Sequence, residues 1–64
     1  MNYLREKRIE KGLSQTRLSH LVNVPSSLIS DIEQGQRQPY PRAKRELARA
    51  LGTTENDLFP INQL

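Results

Sequence analysis

Between Asn23 and Gly35 the chain reads NVPSSLISDIEQG, with short polar side chains at Ser26, Ser27, Ser30, Asp31 and Gln34. The chemistry open to such a set is hydrogen bonding. A serine hydroxyl donates and accepts, a carboxylate only accepts, and a carboxamide does both at neighbouring atoms. Covalent and metal chemistry lack their parts. The chain has no cysteine, and its one histidine, His20, stands beside no plausible nucleophile and cannot hold a metal alone. No GxGxxG or P-loop spacing occurs, and 64 residues are too few to enclose a substrate pocket. No enzyme activity, cofactor, metal or small-molecule ligand is expected.

The elements that must carry these groups are helical. Punctuation falls at Gly12, Asn23, Gly35, Pro39 with Pro41, and Gly52, and no segment alternates with the period of a strand. A first helix is predicted from about Asn2 to Lys11, with Leu4, Ile9 and Tyr3 as a thin apolar side and Arg8 turned inward. Ser14 is a good N-cap for a second helix ending near Val22, with Leu18, Leu21 and Val22 inside. Asn23-Val24-Pro25 makes a corner, since Asn tolerates positive φ and Pro suits a helix start. The third helix, Pro25 to Gln34, buries Ile29 and Ile32 beside Glu33. A fourth, Pro41 to Leu51, has the stripe Ala43, Leu47, Ala50 and Leu51, with Arg42, Glu46 and Arg49 outside and spaced for ion pairing. Thr54 with Asp57 resembles a capping box for a last turn, where Phe59 closes the core. The fold class is all-α.

This third helix is oddly composed. Serine and aspartate are mediocre helix formers, and a solvated face normally carries Lys, Glu or Ala instead. The charge around it is positive. Ten Lys and Arg against seven Asp and Glu leave a formal +3, which favours a polyanionic partner. The cations fall at Arg5, Lys7, Arg8, Lys11 and Arg17, then at Arg37, Arg42, Lys44, Arg45 and Arg49, so they flank the third helix and skip it. No run of about 20 apolar residues and no signal segment is present, so a soluble, cytoplasmic protein with no membrane partner is expected.

Two short helices joined by a tight corner form the unit that places its second member in the major groove of DNA. A groove about 12 Å wide accepts a helix whose facing side chains are short or reach base edges directly. Serine can donate to or accept from several base edges, and aspartate can accept from the cytosine amino group. The poor helix formers are then a docking surface.

At this point the sequence resembles the lambda-repressor/Cro-like helix-turn-helix proteins, the XRE family. The carriers are Leu4-Arg5 with Arg8, GLSQ at Gly12–Gln15, Leu18, Asn23-Val24, Ile29-Ser30, Ile32-Glu33, Gly35, Arg37, Pro39, Leu47-Ala48, Ala50-Leu51-Gly52 and Leu58-Phe59. The resemblance implies a five-helix lambda-repressor-like domain over residues 1–59, with residues 60–64 as a tail. It implies base contacts from Ser26, Ser27 and Asp31, and Ser30, at the margin of that face, is counted as a base contact with them. Gln15, Gln34, Gln36 and Arg37 would touch the DNA backbone, and Arg42 is the fourth-helix cation best placed to join them. Arg8 and Glu33 would form an internal ion pair. Three positions depart from the family pattern: Asn23 stands where Gly is usual, Pro25 where Ser or Thr caps the helix, and Asp31 where a long donor is common.

The residues leave several readings open. Ser26 either caps its helix in place of Pro25 or reads a base. Asp31 either accepts from a cytosine, is held away from DNA, or pairs with an Arg. Leu28 is either core margin or a thymine-methyl contact, and His20 reads as ordinary surface. Leu58, Phe59, Ile61 and Leu64 are candidates for a two-fold contact in a homodimer, or else an apolar tail. The expected function is a transcriptional regulator, a repressor by default, that binds a palindromic operator as a dimer. The rival is an antitoxin-type protein-interaction module with secondary DNA binding.

Overall fold

Short-range chemistry sets the helix boundaries. The computed structural model describes residues 2–60, which fold into α1 (Leu4–Glu10), α2 (Gln15–Val22), α3 (Ser26–Glu33), α4 (Pro41–Ala50) and α5 (Glu55–Leu58). Met1 and residues 61–64, including the dimer candidates Ile61 and Leu64, lie outside the described residues. The Ser14 hydroxyl accepts from the Arg17 N–H at 3.0 Å and opens α2. Thr54 does the same for Asp57 at 3.0 Å and opens α5. The Asp57 carboxylate accepts instead from the Thr53 hydroxyl at 3.2 Å, so the capping box is half made. Pro41 stands in the first turn of α4, where its missing N–H costs nothing.

Three helices close in one way. After α3 the Gly35 N–H donates to the Ile32 carbonyl at 3.1 Å and the Gln36 N–H to the Asp31 carbonyl at 2.8 Å. That pattern needs a left-handed residue at Gly35, whose φ is +78°. The ends of α1 and α4 repeat it at Gly12 and Gly52. The end of α2 is different, because Asn23 itself takes φ 55° and ψ 41°. A side chain there without a local hydrogen-bonding group is strained by about 1–2 kcal/mol. Asn23→Ala should therefore lower the urea midpoint by an amount equivalent to about 1 kcal/mol, while Asn23→Gly holds it.

Helix α2 packs against α3 and α4, α4 against α5, and α1 against α3. Their inner faces bury Leu4, Leu18, Val22, Val24, Ile29, Ile32, Ala43, Leu47, Ala48, Leu51 and Leu58, with Leu13, Leu28, Ala50 and Phe59 packed at the edge. Several expectations change here. With about 100° per residue, the buried arc of α2 runs through Leu18, Val22 and Ser19, so Leu21 falls outside it and is 56% exposed. Ser19 tolerates burial because its hydroxyl donates to the Thr16 carbonyl at 2.6 Å. On α1, Arg8 takes the inward position after Leu4, which leaves Tyr3 and Ile9 exposed. On α4, Ala48 replaces Ala50 in the buried stripe, and Arg42, Glu46 and Arg49 form no ion pair among the described residues.

Leu58 also needs correction. It is 0% exposed and lies in the core of the single chain, so it cannot serve as a dimer contact. Phe59 beside it is half-buried against that core. The start of the chain is tied down by polar contacts. The Tyr3 N–H donates to the Leu58 carbonyl at 2.9 Å, and the Asn2 carboxamide bridges the Leu4 N–H at 3.1 Å and the Ile32 carbonyl at 2.9 Å. No helix among the described residues is long and apolar enough to cross a membrane.

Candidate nucleic-acid interface

Helix α3 is placed by what surrounds it. Val24 is buried in the corner before it, and Ile29 and Ile32 pin its inner side with no exposure. With those positions spent, Ser27 and Gln34 are exposed and Ser26, Leu28, Ser30 and Asp31 half-buried. The helix has no side-chain cap. Pro25 occupies the cap position, and the Ser26 hydroxyl makes no hydrogen bond among the described residues. The expectation that Ser26 substitutes as the cap therefore fails, because Ser26 is already the first helical residue. Its hydroxyl and that of Ser27 remain available. Asp31 has no cationic partner among the described residues, so the Arg-paired reading fails too. Ser30 is engaged within its own helix, accepting from the Gln34 carboxamide at 3.3 Å.

Beneath that surface lies a charge network. The Arg8 Nε–H donates to Glu33 Oε2 at 2.6 Å and its Nη2–H to Oε1 at 3.2 Å, a bidentate pair joining α1 to the end of α3. The Arg8 Nη1–H reaches the Leu13 carbonyl in the α1–α2 turn at 2.8 Å. The side chains are 11% and 3% exposed, so the pair is internal. Glu33 Oε1 takes one more donor, the Gln15 Nε2–H from the start of α2, at 3.1 Å. Every buried side-chain nitrogen and oxygen among the described residues has a partner.

The other cations stay at the surface. Lys7 pairs with Glu10 at 3.5 Å in the open, where such a pair contributes about 0–1 kcal/mol. Arg5, Lys11, Arg17, Arg37, Arg42, Arg45 and Arg49 are exposed and form no ion pair among the described residues. Gln36 and Arg37 follow the Gly35 turn directly, and its hydrogen bonds hold Gln36 to the end of α3. Pro39 is buried, which anchors the far side of this hook ahead of α4.

Sequence reasoning missed two connections. Asn2 reaches the Ile32 carbonyl 30 residues away, and Gln15 reaches Glu33 18 residues away. No periodicity encodes either contact. The polar type of Gln15 at a helix start is visible, but its partner is not.

The arrangement is a short helix without a side-chain N-cap, whose Ser26 and Ser27 hydroxyls and Asp31 carboxylate are unpartnered among the described residues, set on an internally neutralised scaffold that exposes cations. Comparison with known proteins agrees with it. No match is found among curated proteins. A family model described as a helix-turn-helix domain matches residues 2–58. That span takes in α1 to α5 and most of the chain, with the DNA-binding character such domains carry. The chain belongs to the helix-turn-helix domain family.

Proposed function

We propose that this chain is a sequence-specific DNA-binding regulator that lays α3 in the major groove. The observation that carries the reading is the state of Ser26, Ser27 and Asp31. Their side-chain polar atoms are unpartnered among the described residues, while the buried side-chain polar atoms beneath them are all satisfied. Base edges supply the matching donors and acceptors. Gln15, Gln34, Gln36, Arg37 and Arg42 then grip the strands, and Asp31 accepts from a cytosine amino group. The exposed large apolar residues Tyr3, Ile9, Leu21 and Tyr40 all lie off α3, so its face lacks the aromatic anchor a protein partner would want.

Repression follows if the regulator occludes a promoter, and a homodimer would place two α3 helices roughly 34 Å apart on one face of a palindromic site. Phe59, with Ile61 and Leu64, supplies the apolar side chains for that pairing. Selection of bound sites from random duplexes tests all of this. Enrichment of two half-sites about one helical turn apart supports a dimer on DNA, and a single half-site supports a monomer. No preference for any duplex over random competitor at low salt would refute the proposal. Arg37→Ala is expected to weaken every duplex alike and to lower the slope of log K against log salt by about one. A loss confined to one sequence would remove Arg37 from the phosphate contacts.

A further inference from the structure

The internal Arg8–Glu33 pair meets the proposed DNA-facing surface through one side chain, Gln15. Glu33 Oε1 holds the Gln15 Nε2–H at 3.1 Å while both carboxylate oxygens also bind Arg8. A carboxylate without a proton can only accept, so it decides which end of the carboxamide turns toward it. The nitrogen is held on Glu33, and its second N–H has no partner among the described residues. Left alone, that amide would sample orientations that present its carbonyl oxygen, which repels a phosphate.

We infer that Glu33 is a positioning residue for DNA binding: it aims the remaining Gln15 N–H at a phosphate, besides joining α1 to α3. This rests on the DNA-binding reading above. Glu33 lies two residues beyond Asp31 on α3, whereas Gln15 opens α2. One carboxylate therefore links the backbone contact of α2 to the depth at which α3 sits in the groove. Arg8 holds Glu33 in place from the other side, so neither oxygen is free to rotate away.

The test uses the full chain, a duplex selected from a random pool, and a random duplex of equal length. Gln15→Met keeps the side-chain length but removes the donor. It should weaken both duplexes by a similar factor, about three- to tenfold, measured where the variant remains folded, since losing one donor to a buried carboxylate also lowers the urea midpoint. In the Gln15→Met background, Glu33→Gln should cost no further affinity, although it weakens binding in the wild-type background. A second measurement does not depend on the stability of any variant: nitrogen relaxation of the Gln15 side-chain amide in the free protein should show it as rigid as the backbone. Gln15→Met binding both duplexes like wild type, or a freely mobile Gln15 amide, would overturn the inference alone. If the wild type binds neither duplex, the parent reading fails first and takes this one with it. If Glu33→Gln does not fold, the Gln15→Met affinities and the relaxation data decide.

Discussion

Arg8→Ala is expected to lower stability by about 3–5 kcal/mol, read as a large drop in the urea midpoint. A domain of this length holds only about 3–10 kcal/mol in total, so the variant should be largely unfolded at physiological temperature. The size follows from what is left behind. Glu33, 3% exposed, would keep one neutral donor from Gln15 in place of three hydrogen bonds, and the Leu13 carbonyl would lose its guanidinium. An uncompensated buried carboxylate costs far more than the pair contributes over an apolar substitute. Arg8→Met combined with Glu33→Leu should accordingly recover much of the loss. Arg8→Lys should fall between, since an ammonium cannot reproduce the bidentate fork. A change for Arg8→Ala within about ±0.5 kcal/mol would place the pair among ordinary surface contacts.

Ser27→Ala should do the reverse. Ser27 is exposed, makes no hydrogen bond among the described residues and sits in the first turn of α3, so stability should move by no more than about 0.5 kcal/mol. Binding to the selected duplex should fall by about 1–3 kcal/mol, with discrimination lost at one base position and retained elsewhere. Competition against a panel of single-base operator variants reads both quantities at once. A variant that ranks the whole panel as wild type does would remove Ser27 from base recognition.

Local signals carry the fold well and the packing less well. Ser14, Asn23, Gly35, Pro41, Gly52 and Thr54 mark boundaries that the helices keep to within about two residues, because caps and turns are decided by neighbours in the chain. Which flank of a helix is buried depends on what lies opposite. Leu21 and Ile9 read as core, yet Ser19 and Arg8 hold the inward positions, each with a hydrogen bond that makes burial tolerable. Leu58 reads as surplus at the end of the chain, although α4 and the Tyr3 backbone enclose it. At the candidate site, the unusual polarity of α3 is legible from residue types alone. The meeting of Arg8 and Glu33 is legible only through family resemblance, and the Gln15–Glu33 bond not at all, since no local rule relates residues 18 apart.

The hydrogen bonds that fasten α3 to other elements gather at its C-terminal end, on Asp31, Ile32 and Glu33 backbone or side-chain atoms, whereas the Ser26 and Ser27 hydroxyls have no partner among the described residues. A change of letter at those two positions disturbs no support of the architecture. If these two hydroxyls read bases as proposed, a shift in target preference would cost this molecule little stability: new specificities would be sampled by exchanging the first turn of one helix while the frame stays as it is.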